Sequence, residues 1–430
     1  MKKMISLFLA MMMTLCICAC QPTEGGSSEK SDDSSASTTP AAGSSSNSIA
    51  YEGGAVTVKF SHSLASRYDD LLDSAIVRFN AVYPNIQVQT EYIGATGDIA
   101  KMVEFMKSSG NLPNVVTCEP DTLESYVGWN LAEPLPDGYD LEEGFLPDCI
   151  VEGTLYALPL QRNTMVLYYN RDFFTENGLS APTTWEEMKK LCEQIRTIDE
   201  KSVPLMVDYG AGLYQQLCAR QGADISVADG LFGSEKANNV MTDLQEMAQK
   251  QLLCVKTNSD SCNVKDSFAG REGQNRCYML ISASYGANSF YSDFQVGVAA
   301  VPAGTPIAVG TDVCVLKNDD PQKTAAAKLF AAFLATDPAF QAELAIKGQR
   351  MPVIRSAYQT ETYQAYLQTA NGAENLQAQV ASLCQSIEKY MVLPSFASRK
   401  VIESKIDTLM YECLHNNASV EQMLKEALNA

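Results

Sequence analysis

The order of apolar periodicities between residues 55 and 118 restricts the fold more than any other feature. Ala55 to Phe60 alternates as a strand does, and Asp69 to Val82 then places Leu71, Leu72, Ala75, Ile76 and Phe79 on one helical face. A strand at Ile86 to Tyr92, a helix from about Asp98 to Lys107 and a short strand at Asn114 to Cys118 follow. The connections are too long for hairpins. A β-α-β-α-β order of this kind predicts an α/β fold, a parallel sheet with helices on its faces. Such a sheet takes its ligand in the crevice beyond the carboxyl ends of the strands. The loops at 61–66, with His62, and 119–122, with Glu119, are therefore the first places to look for a site.

A second unit begins with a strand near Met165 to Tyr169, followed by a helix from Arg171. Thr184 and Glu187 are spaced as a capping box at the start of another helix. Helical periodicity returns at about 235–251, and residues 277–283, 294–302 and 308–316 read as strands. An alanine-rich helix at 323–335 and two helices between Glu403 and Ala430 complete the chain, the last opened by Ser419 with Gln422 as a second box. At 430 residues the chain is too long for one core, because single cores stop growing at roughly 250 to 300 residues.

Charge and residue usage exclude several functions. Lys and Arg number 32 against 51 Asp and Glu, a formal charge of −19, so the overall field repels nucleic acid. Only two histidines are present, His62 and His415, and no CxxC pair occurs, which removes the usual zinc and dithiol sites. There is no GxSxG elbow, no phosphate-cradling GxGxxG or GxxxxGK[ST] loop, no HExxH and no EF-hand loop. The acid pairs Asp69-Asp70 and Asp319-Asp320 are adjacent and read as solvated. No catalytic residue, cofactor or metal is expected. A surface hydrolase is the rival class, and these absences count against it.

The first twenty residues, MKKMISLFLAMMMTLCICAC, combine two lysines with an uncharged run too short for a comfortable span. They read as an export signal over residues 1–20. Its end, Ile17-Cys18-Ala19-Cys20, resembles the bacterial lipobox and makes Cys20 the lipidated residue, with Cys18 a departure from the usual pattern. Loss of Lys2 and Lys3 takes the formal charge from −19 to −21. Residues 21–50 hold ten serines and almost nothing that packs, so 21–52 reads as a flexible tether. Thirty such residues span about 30 Å root-mean-square. Ten cysteines lie beyond residue 50. Export permits disulfides, and spacing favours Cys254 with Cys262, whereas Cys192 and Cys413 fall in helical patterns as small buried hydrophobes.

Four stretches carry a resemblance: 156–195 (YALPLQRNTMVLYYNRDFFTENGLSAPTTWEEMKKLCEQI), 296–304 (VGVAAVPAG), 324–358 and the C-terminal SVEQMLKEAL. They are similar, collinearly over nearly all of 53–430, to the extracellular solute-binding proteins of ABC importers, in the branch that takes up sugars and glycerol phosphates. The resemblance implies a two-lobed periplasmic-binding-protein (Venus-flytrap) fold with an interlobe ligand cleft. Lobe one would be 53–162 plus 306–345, and lobe two 163–305 plus 346–430. It also implies a monomer with a small solute, a sugar, polyol or glycerol phosphate, and with ABC permease transmembrane subunits as partners, held to the outer face of a membrane by its lipid. A lobe pair feeding a sensor kinase would keep the same cleft.

By position within that branch, Glu119 matches a glutamate that holds the ligand, Ser284-Tyr285 a serine of the second lobe, and Gly310-Thr311 the glycine at the return. At the crossing stand Gln161, Arg162, Asn163 and Thr164 where the branch has asparagine and serines, and Arg162 offers a planar fork to an anion or to an interlobe salt bridge. Arg350 stands where the branch has an aromatic residue. Arg399, or Lys400 one residue on, stands where it has an arginine. Three arginines, 162, 350 and 399, at one cleft would suit an anionic solute. His62 would donate to a hydroxyl. Trp129 and Trp185 read as structural, leaving Tyr68, Tyr126 and Tyr285 to stack a sugar ring.

Overall fold

The computed structural model describes residues 51–94, 96–258, 263–271, 276–289, 292–371, 375–393 and 399–430. The signal, the tether, Cys20 and Cys262, and with it the Cys254–Cys262 pairing, lie outside them. Ten strands build two sheets: β1 Val56–His62, β2 Ile86–Tyr92, β3 Val115–Cys118, β4 Ala157–Asn163, β5 Met165–Asn170, β6 Leu205–Val207, β7 Leu253–Val255, β8 Met279–Ala283, β9 Val296–Ala300 and β10 Val309–Val315.

The first sheet has the order β2-β1-β3-β10-β4. Its β1, β2 and β3 run parallel, as the β-α-β-α-β reading requires, and β10 returns antiparallel between β3 and β4. The second sheet has the order β9-β5-β8-β6-β7, with β6 parallel to both neighbours and β5 antiparallel to both of its own. Only Thr164 separates β4 in the first sheet from β5 in the second, and the chain comes back through 301–308. Sequence periodicity alone does not reveal that return.

Each sheet is covered on its faces. Phe60 of β1 meets Phe330, and Phe330 meets Phe79, in edge-on contacts within the first core. On β5, Met165 and Leu167 point into one core of the second unit while Val166 and Tyr168 point into another. Alternate residues of a strand face opposite sides, so a strand apolar at every position is one buried on both. Thr184 and Glu187 form the capping box that starts the helix Trp185–Ile198. Cys192 and Cys413 are fully buried.

Strand β4, the three-residue strands β6 and β7 and the helix Gly210–Arg220 are among the elements not expected. Three residues are too few to display a period of two. The helix expected from Glu403 starts earlier, at Arg399, which brings Arg399 and Lys400 into its first turn. Among the described residues no single helix is long and apolar enough to cross a membrane.

Candidate functional site

A cavity of about 560 Å³ opens between the two sheets, lined from both. That volume suits a small solute, for which pockets of roughly 300 to 1,000 Å³ are usual. From the first sheet come Glu119 and Asp121 after β3, and Gly310 and Thr311 on β10. From the second come Asp208 and Tyr209 after β6, Tyr285 after β8, Gln215, and the Arg399, Lys400 and Glu403 turn. Asn163, Thr164 and Arg350 line the cavity where the chain crosses. The ligand position predicted for strands of this kind, beyond their carboxyl ends, is where these groups converge.

Local structure fixes each group. Glu119 is the N-cap residue of the helix Pro120–Gly128, yet its side chain makes no capping bond and lines the cavity instead. Gly310 faces Arg162 across the β4–β10 pair so closely that an added Cβ would lie 1.9 Å from the Gln161 carbonyl oxygen. Only glycine fits there. The Asn163 side-chain amide donates to the Val309 carbonyl at 3.0 Å and the Thr164 hydroxyl to the Ile307 carbonyl at 2.8 Å, so the outgoing and returning chains are tied together.

Charge in the cavity is largely paired. Lys400 reaches from the second unit to Asp121 at 2.7 Å and Glu119 at 3.4 Å on the first. Burial works against the Lys400 charge, but Asp121 and Glu119 outweigh it and raise its pKa. Arg399 lies 3.4 Å from Glu403, which also accepts from the Tyr209 hydroxyl at 2.9 Å. Burial, with Glu403 beside it, pushes the Tyr209 phenol well up. Asp208 accepts from Ser282 at 2.9 Å and faces Lys256 and Lys265 at 3.4 and 3.5 Å. Among the described residues Arg350 has no acid partner; its guanidinium lies 3.6 Å from the centre of the Tyr285 ring.

The model of the bacterial extracellular solute-binding protein family matches residues 74–371. The chain belongs to that family. This solute-binding protein is 23% identical over 367 residues to the sn-glycerol-3-phosphate-binding periplasmic protein UgpB of Salmonella typhimurium, covering 76% of this chain and 82% of that one. In structure it is similar to the cyclic α-maltosyl-1,6-maltose binding protein of Arthrobacter globiformis, with a TM-score of 0.72, 19% identity, and coverage of 87% and 98%. It is also similar to UgpB of Mycobacterium tuberculosis in complex with glycerophosphocholine, with a TM-score of 0.69, 18% identity, and coverage of 87% and 97%. The family binds solutes and is not a family of enzymes, and the fold is the two-lobed one expected.

Seven of the ten residues singled out from the sequence line the cavity of this solute-binding protein: Glu119, Asn163, Tyr285, Gly310, Thr311, Arg350 and Arg399. Three do not. Arg162 is fully buried on the far side of β4, its two terminal nitrogens bonded to Asp312 at 2.7 Å and Asp148 at 2.8 Å, so it offers no fork to a solute and no interlobe bridge. His62 is buried at the end of β1 between the rings of Phe60 and Tyr92, and burial lowers its pKa, leaving it neutral. Ser284 is turned inward, where its hydroxyl accepts from the Thr164 backbone at 3.3 Å.

The sequence reading missed Asp121, Asp208, Tyr209, Gln215 and Glu403. Asp208 and Tyr209 follow a strand too short to be seen, and Glu403 lies one helical turn after Arg399. The pairing of Glu403 with Arg399 at i, i+4 was the one signal available.

Proposed function

We propose that this solute-binding protein is the lipid-anchored capture component of an ABC importer. It takes a carbohydrate or related polyol between lobe one, 53–162 with 306–345, and lobe two, 163–305 with 346–430, and delivers it to the permease as a monomer. The observation that carries this reading is the convergence of polar groups from the strand ends of both sheets on one cavity. A ligand touching both lobes stabilises whichever state brings them together, and that state is what a permease can distinguish from the empty one. Glu119 accepts from solute hydroxyls, Asn163 and Thr311 contribute at the hinge, and Tyr285 and Arg350 shape the second-lobe wall. The named relatives, glycerol-phosphate-binding and maltosyl-maltose-binding proteins, are consistent with a polyhydroxylated solute.

The test is a thermal-shift panel of monosaccharides, disaccharides, glycerol phosphates and sugar acids. A bound solute at 100 times its dissociation constant adds about 2.7 kcal/mol and raises the melting temperature. Absence of any shift across the panel would overturn the solute class. The anchor is tested by fractionation, in which Cys20→Ala should move the protein out of the membrane fraction.

A further inference from the structure

Three cations line the cavity: Arg350, Arg399 and Lys400. Arg399 is matched by Glu403, and Lys400 by Asp121 and Glu119. Arg350 is matched by no carboxylate among the described residues. It is half-buried, and its Nε and Nη1 are enclosed without a hydrogen-bond partner. Gln215, 2% exposed on the same cavity wall, also holds its amide nitrogen without a partner. A partly desolvated cation without a counter-ion is costly, and proteins of ordinary design pair it. In a chain with so large an excess of acid, a cation left unpaired by carboxylates at the cavity wall is suited to an anion.

We infer that Arg350 is the anion-recognising residue of the cleft, and that the solute is a polyol or sugar bearing one oxyanion, a carboxylate or a phosphate. This rests on the capture reading above and sharpens it. The geometry supplies the means. The Tyr285 ring covers one face of the guanidinium and so leaves hydrogen bonding to an oxyanion to the N–H groups in the plane of the fork. Arg350 also covers the ring face that a pyranose would otherwise stack on, so this wall selects by charge. Burial lowers the Arg350 pKa without bringing an arginine near neutrality, so the charge persists.

The test is calorimetric titration of the full chain with matched pairs: glucose and glucuronate, galactose and galacturonate, glycerol and glycerol 3-phosphate. In the wild type the acidic member of a pair should bind more tightly than its neutral partner, with the advantage shrinking at high salt; which acid wins separates carboxylate from phosphate. Arg350→Gln should cut affinity for the acid about tenfold to a hundredfold, collapsing the ratio within the pair, and Arg350→Lys should recover part of it. A neutral sugar preferred by the wild type, or an acid bound equally well by Arg350→Gln, overturns the inference and leaves solute capture standing. The wild-type ratio and its salt dependence decide the matter even if the variants fold poorly. Silence from all six compounds overturns the capture reading for this class, and the inference falls with it.

Discussion

Arg162 is held between Asp148 and Asp312 with no solvent exposure on any of the three, and one guanidinium cannot neutralise two carboxylates. The Oδ2 atom of each aspartate is enclosed without a partner. Burial raises the pKa of both, that of Asp312 to about 7, so the folded protein retains a proton there that the unfolded chain releases near 3.8. The sign follows by linkage. A carboxyl raised in the folded state contributes stability that is fully present below its unfolded pKa and is lost as pH rises through the folded one. The urea midpoint should therefore fall between about pH 4 and pH 7 through this group, and Asp312→Asn should remove most of that slope. Arg162→Met leaves two acids buried without their cation and should cost about 3 to 5 kcal/mol in urea unfolding at neutral pH. Of the residues that line the cleft, Glu119 was legible from its place after a strand, whereas Asn163, Tyr285, Gly310, Thr311, Arg350 and Arg399 were reached only through the family resemblance, by position. Arg162 was misread for a definite reason. Its neighbours Gln161 and Asn163 are partly exposed while it is buried, and the phase of a two-residue alternation cannot be fixed before the partner strand is known.

Among the elements, the paired strands β4 and β10 and the helix Arg399–Met410 bear most directly on the site. The backbones at Gly310 and Gln161 approach so closely that any side chain at 310 must push the strands apart. Gly310→Ala should cost about 1 to 3 kcal/mol in unfolding and weaken solute binding as well, since Thr311 is displaced with the strand. The capping box of Trp185–Ile198 provides a contrast, because it lies on no wall of the cavity. Thr184→Ala should lower stability by about 1 kcal/mol and leave solute affinity unchanged in the same titration. Long elements with a clear period were legible: β1, β2, the helix Asp69–Val82 and the alanine-rich helix Pro321–Thr336 all fall within a few residues of expectation. The three-residue strands β6 and β7 were not, and with β6 went the Asp208 and Tyr209 wall that follows it. Arg399 and Lys400 occupy the first turn of their helix, where the macrodipole disfavours cations. Glu403 and the Asp121-Glu119 pair offset that cost, which places two positive charges at the cavity against local preference.

At the scale of the whole molecule, the Lys400 ion pairs join groups from the two sides of the cleft. Two effects compete in setting what the clasp does. If a solute displaced Lys400 to reach Glu119, breaking the clasp would improve affinity. If the clasp persists, it holds the lobes in the arrangement that the bound state uses, and its loss must lower affinity by the energy of the pair. Persistence is favoured because Asp121 holds the ammonium at 2.7 Å while Glu119 lies farther off at 3.4 Å, so Glu119 has carboxylate oxygen to spare for a solute without releasing the lysine. Lys400 is more than half exposed, so the pair is worth no more than the roughly 0.2 to 1 kcal/mol of exposed pairs. Lys400→Met should therefore weaken solute binding by about twofold to fivefold, and the difference from wild type should vanish at high salt, where an exposed pair is screened. Small-angle scattering of the solute-free protein should show Lys400→Met with a larger radius of gyration than wild type, and saturating solute should bring the two together. Tighter binding by Lys400→Met would instead mean that the solute and the lysine compete for the same two carboxylates.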